Sequence, residues 1–384
     1  MEEVNAKTPA EIRRQRKKRR NTQKFLGFII IVTVILGLYV SKSRWMPNFQ
    51  LDNSGYTDDE ISAGSFPLKV SNNTNYKICG FSDGITVLTD TRMYQYSETG
   101  ETSQVIKHDY SNTILRESGN KTMVYEQNGT GIRVDSKRGL MYEKNLENTI
   151  YMASLSSKGF TAAVTESDQY VCELHIYDSA GDEVYFRGCT ERVMDVAFKN
   201  DSKGCYIIFL NVLNGHIVSE ISSVNFTEED TLWNVQEIQT CPVSASVSAT
   251  DELILFGDSL CAFYSSEGEE IMTYQYPGTL TDTSWSEQGA VMMFENKERK
   301  STTVSIIKDP HLCEASEIKI GEKFSHVLAW DDRIYMLAET AIEAYDYDGN
   351  PVKKAELAEP FRDFCKSGKY IFLEGHKKIE KIEF

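Results

Sequence analysis

A short polar or glycine turn followed by five or six apolar, β-forming residues recurs eight times in this chain, at a spacing near forty. The turns close at Gly84, Asn120, Gly159, Gly204, Asp251, Gly289, Asp332 and Gly368, in steps of 36, 39, 45, 47, 38, 43 and 36 residues. The strands behind them are predicted at 85–89, 122–126, 160–165, 205–210, 252–257, 290–295, 333–338 and 369–374. In all-β sequence a period of about 40 to 45 residues predicts propeller blades of four strands, whose faces are covered only when blades stack around an axis. Tyr and Phe far outnumber Trp, which suits rings lying on half-buried pleats.

The innermost strand of each blade is expected ahead of its turn, at 76–81, 113–117, 151–155, 193–198, 243–247, 280–285, 325–330 and 361–365. A second phrase, Tyr with Gly four residues on, recurs at Tyr96/Gly100, Tyr177/Gly181, Tyr264/Gly268 and Tyr345/Gly349. Its glycines are 81, 87 and 81 residues apart, a step of two blades, and a tight hairpin requires a positive φ that glycine adopts most readily. The last repeat stops at Phe384 after three strands, so residues 66–70 are expected to supply the fourth and close the ring. This predicts an all-β, eight-bladed propeller; a seven-bladed ring is the alternative if the long fourth repeat, through Asn214, Gly215 and Trp233, merges irregularly.

Charge divides the chain. Residues 1–44 carry 11 Lys+Arg against 3 Asp+Glu, so the rest holds a net charge of −24 within a total of −16. Residues 25–40 are sixteen residues without a charge, about 24 Å of helix. Lys24, Lys42 and Arg44 can snorkel at its ends, and Tyr39 and Trp45 fall at interfacial depth. The basic run from Arg13 to Arg20 faces the cytoplasm by the positive-inside rule, and no small-residue cleavage site follows Val40. The expected organisation is a basic cytoplasmic tail (1–24), a single transmembrane helix (25–41), a stalk (42–63) and an extracytoplasmic propeller (64–384). Residues 46–63 reach at most about 60 Å if extended. An acidic outer domain repels nucleic acid, so no nucleic-acid partner is expected.

No motif carries chemistry. The six histidines have no zinc-ligand spacing, and C-x-x-C, Walker, G-x-G-x-x-G and G-x-S-x-G signatures are all lacking. Asp346, Asp348 and Asn350 alternate oxygens like a calcium loop, but no bidentate Glu follows and the segment is the repeated hairpin turn. Lys297, Arg299 and Lys300 read as a solvated turn of the sixth blade. The eight cysteines all follow the apolar segment, and Cys79 with Cys365, on neighbouring innermost strands, is the expected disulfide. No catalytic, cofactor-binding or metal-binding residue is assigned, and no cofactor is expected.

The period and the Tyr-x-x-x-Gly hairpin resemble quinoprotein-like propeller repeats, although the four tryptophans share no blade position. Basic tail, spanning helix, stalk and degenerate propeller together resemble an uncharacterised clostridial family of membrane-anchored propeller proteins, a resemblance that implies no particular activity. The expected function is a non-catalytic binding or scaffolding module at the cell envelope, with a protein or cell-wall glycan on one propeller face. The alternative is a carbohydrate-active enzyme with carboxylates at the channel mouth.

Overall fold

In a computed structural model the described residues are 60–384, apart from 63, 72, 73, 82, 229 and 297–300. The expected tail and membrane helix, the stalk as far as residue 59, and the basic turn at Lys297 lie outside them. Among the described residues no helix is long and apolar enough to cross a membrane.

Eight four-stranded antiparallel sheets follow one another. Blade 1 comprises Tyr76–Phe81, Gly84–Thr89, Arg92–Ser97 and Thr102–Lys107; blade 2 comprises Thr113–Ser118, Lys121–Glu126, Gly131–Ser136 and Gly139–Asn145. The inner strands of blades 3 to 8 are Ile150–Leu155, Arg192–Phe198, Pro242–Val247, Thr279–Ser286, Phe324–Trp330 and Asp363–Ser367. The ring is therefore eight-bladed, and the long fourth repeat is a full blade with two ten-residue strands. The eighth inner strand begins two residues later than its hydrophobicity predicts. Phe361 is buried with Phe364 between blades 7 and 8, so a loop residue carries a strand-like apolar signal.

Leu68–Lys69 pairs with Lys378–Glu383 as the fourth strand of blade 8, joining the two ends of the ring. Glu60 and Ile61 already belong to this body: Ile61 bridges Val70 and is buried with Leu68. Each of the eight seams between blades holds its own apolar cluster, from the large one joining blades 3 and 4 to the small one of Leu88, Met93, Ile106 and Val124 between blades 1 and 2. A fully buried Ile or Val contributes about 1.5–3 kcal/mol, and here that burial exists only where two blades meet.

The seams alternate. In the turns of the odd blades Gly100, Gly181, Gly268 and Gly349 have φ of 88°, 87°, 88° and 86°. An added Cβ would meet the Gly64 carbonyl, Tyr142, Trp233 or Ile318 respectively, always on the preceding even blade or the segment that closes blade 8. Tyrosine hydroxyls bond across the same seams: Tyr76 to the Gly375 carbonyl, Tyr142 to Thr161, Tyr206 to the Asp251 carbonyl and Tyr347 to Ser286. The two-blade step in the sequence thus marks four blade pairs: 8 with 1, 2 with 3, 4 with 5 and 6 with 7.

Antiparallel order gathers the turns between second and third strands, and the connections from outer to next inner strand, at one end. The chain joins the ring there. The Glu60 carboxylate accepts hydrogen bonds from Thr89 and Thr91, which flank such a turn of blade 1. The segment then runs to the opposite end, where the Gly64 N–H donates to the Gly100 carbonyl. We call the end bearing Glu60 proximal.

Candidate functional site at the proximal channel mouth

Inner strands start at the proximal end, so their first residues ring the mouth of the central channel. In blades 3 to 7 each of these strands carries a register shift, after Ile150, Val193, Pro242, Leu280 and Phe324. A bulge re-aims the residue that follows it. Asp282 and His326, each just past a bulge, thereby come side by side with Asp363 on the unbulged inner strand of blade 8. His326 Nδ1 lies 3.6 Å from Asp282 Oδ2 and 4.0 Å from Asp363 Oδ1. Hydrogen bonding to Asp282, with further help from Asp363, raises the His326 pKa despite partial burial.

These carboxylates also hold the main chain. Asp282 accepts from Thr283 N at 2.9 Å and, across the seam, from Val327 N at 2.8 Å. Asp195 does the same with Val196 N and Ala245 N, both at 2.8 Å. Glu374 Oε2 accepts from Ile78 N. Blades 1, 5 and 7 therefore each have an inner-strand N–H satisfied by a side chain of the even partner, a main-chain group that would be costly to leave unpaired. Burial raises the pKa of Asp195, against the pull of these donors.

A pocket of about 570 Å³ with a mixed lining opens beside the mouth between blades 8, 1 and 2, lined among others by Lys77, Asp90, Tyr110, Asn112 and Arg362. Glu374, only 1% exposed, sits behind the two cations at 3.6 Å from each. Arg362 is steered by the Gly375 carbonyl at 2.9 Å and by the face of Tyr76. Two cations backed by a buried carboxylate, with the single acid Asp90 and the rings of Tyr76 and Tyr110 in the same lining, suit a ligand that combines polar groups with an apolar body.

Deeper in the channel, Glu117 touches Cys79. Channel water reaches the carboxyl, yet protein surrounds it closely enough that burial pushes it up to about 7, against a lowering hydrogen bond from the Cys79 thiol. The expected Cys79–Cys365 disulfide is not formed. The two thiols are neighbours and both are free, with burial and the Glu117 charge raising their pKa values. Strand adjacency identified the neighbourhood, but not the carboxylate that shares it. Sequence reasoning also passed over Cys172 and Cys189, which lie directly opposite each other in blade 3. A hydrogen bond from Cys189 lowers the pKa of the Cys172 thiol and raises that of its partner; their only sequence signal is placement on two strands joined by a hairpin. Asp346 Oδ1 accepts from Asp348 N and Asn350 N, so the calcium-like phrase is a self-capped turn.

A closed ring of eight four-stranded blades defines a β-propeller. Residues 53–384 match a family of unknown function (DUF5711), and the chain belongs to it. No curated protein matches in sequence. Among solved structures, BamB from Moraxella catarrhalis is similar with a TM-score of 0.57 and 9% identity, over 84% of this chain and 100% of that one. Sqt1 from Saccharomyces cerevisiae gives 0.62 and 8%, over 84% and 100%. Sqt1 from Chaetomium thermophilum, solved bound to the N-terminus of the ribosomal protein L10, gives 0.59 and 10%, over 85% and 100%. At these identities the likeness is one of fold.

Proposed function

We propose that this chain is a membrane-anchored, extracytoplasmic propeller that binds or scaffolds a partner at the cell envelope and does not turn it over. The observation that carries the non-catalytic part is the employment of the mouth carboxylates: Asp195 and Asp282 each use both oxygens on main-chain N–H groups of two blades. Anchoring is supported by the uncharged run at 25–40 behind a basic tail. The partner is a protein segment or a cell-wall glycan, held at an open end of the ring. A protein segment has a precedent of shape in the Sqt1 propeller solved with the N-terminus of the ribosomal protein L10.

The test uses the full chain with a tag after Phe384, in intact cells. Membrane association that survives alkaline extraction, with the tag removed by external protease, is the expected result. An alkali-soluble chain, or a tag protected until the cells are lysed, overturns the placement. The enzymatic alternative rests on Glu117, the carboxyl held near 7. Glycan hydrolysis by the purified full chain that Glu117→Gln abolishes would establish it in place of the binding role.

A further inference from the structure

We infer that the proximal end of the propeller rests on a lipid surface through the apolar tip of the blade 4 hairpin. This rests on the anchoring proposed above and adds the orientation of the ring and the residues that set it. The second and third strands of blade 4, Gly204–Leu213 and His216–Asn225, are ten residues each, against five to eight for their counterparts in the other blades. Their turn, Asn214–Gly215, has φ of 52° and 83°, the paired positive values of a tight two-residue hairpin. The blade therefore projects beyond its neighbours as a stiff finger.

Flanking the polar turn of Asn214, Gly215 and His216, the end of the finger is apolar and uncovered. Val212 and Ile217 pair directly across the hairpin and are 63% and 51% exposed, and Leu213 is 37% exposed. Below them the finger turns polar, with the Asn211 amide donating to Glu220 at 2.9 Å. Met194 and Val243, the residues extruded by the inner-strand bulges of blades 4 and 5, are 36% and 55% exposed at the same end. Five exposed apolar side chains thus lie at one end of two adjacent blades, three on the finger and two beside the channel mouth, a grouping a solvated surface does not need.

The choice of occupant comes from where the chain leaves the ring. Glu60 is fixed at this same proximal end by Thr89 and Thr91. The residues that precede it lead back to the uncharged run ending at Val40, across twenty residues that span roughly 70 Å at most. A tether this short keeps the proximal end close to the bilayer, so a weak apolar contact is made effectively intramolecular. An acidic domain approaches such a surface by apolar insertion rather than by charge.

The test is contact quenching of an added tryptophan in the full chain, reconstituted in phosphatidylcholine vesicles with brominated acyl chains. Emission is taken as the increment over the parent chain. Ile217→Trp places the probe on the finger, and Val184→Trp places it on the outer strand of blade 3 as a reference exposed to solvent. Alkaline extraction of the same vesicles reports the anchor separately. Quenching and a blue shift at 217 but not at 184, unaffected by salt, is the expected result. Alkali-resistant chain with no excess quenching at 217 overturns this inference and leaves anchoring standing. Alkali-soluble chain with no quenching overturns both, while alkali-soluble chain still quenched at 217 retains the lipid contact and removes the anchor. If the finger is unquenched and the chain forms a concentration-dependent dimer that Val212→Asp with Ile217→Asp abolishes, a second copy is the occupant and the inference is overturned.

Discussion

Single side chains in this molecule are set by enclosure more than by their neighbours in sequence. Glu117 and Asp90 have the same formal charge, but only Glu117 lies in the channel, where it is held near 7. A carboxyl raised in the folded state from 4.5 to about 7 contributes stability that is fully present below about 4.5 and is lost as the pH rises through 7. Glu117→Gln is therefore expected to melt above the parent at about pH 8, by roughly 1 kcal/mol, well below the full shift because channel water reaches the group. The advantage disappears at about pH 4. A variant less stable than the parent at both pH values would show that the carboxylate is needed ionised. His326 runs by the opposite chemistry to a similar outcome: the stability of its protonated form is present below its ordinary range and fades as pH rises through the raised value.

At the scale of the element, the unit is a pair of blades. The four odd-blade turns share one φ because they share one hydrogen-bonded turn, in which the glycine N–H donates to the carbonyl three residues back, and each glycine is in addition pressed against the preceding even blade or its closing segment. Two substitutions separate these causes. Gly215 has φ of 83° with nothing within 4 Å of an added Cβ, whereas Gly268 has φ of 88° and would meet Trp233 at 2.6 Å. Backbone strain is similar in both, so Gly268→Ala is expected to cost about 1–3 kcal/mol more than Gly215→Ala in denaturant unfolding. Equal losses would show that contact with Trp233 of the neighbouring blade adds nothing to the requirement for glycine at 268. The two-blade step of these glycines was legible in the sequence, since a residue without Cβ at a fixed offset is visible there. The bulges were not. A register shift moves one residue out of the ladder without changing its composition, and Ser325 before His326 carries no mark of it.

At the scale of the whole molecule, stability depends on closing the ring. Leu68 is fully buried on a two-residue strand whose pairing joins residues far apart in the chain. Leu68→Ala is expected to cost about 2–5 kcal/mol, while Leu140→Ala, on the exposed face of blade 2, changes stability by less than about 0.5 kcal/mol. Unfolding monitored in denaturant checks both. Similar small losses at the two positions would mean the ring is held by its seams without the closing strand.

The sequence determined the blade count, the inner and second strands of nearly every blade, and the closing segment. All of these follow from periodicity, and periodicity is a property of the chain read in order. The tertiary structure alone decided that Asp282, His326 and Asp363 meet at one mouth, that Glu117 stands against two cysteines, and that the finger of blade 4 shares an end with Glu60. Each of those depends on the angular order and register of separate sheets around an axis, and no local run of residues encodes that.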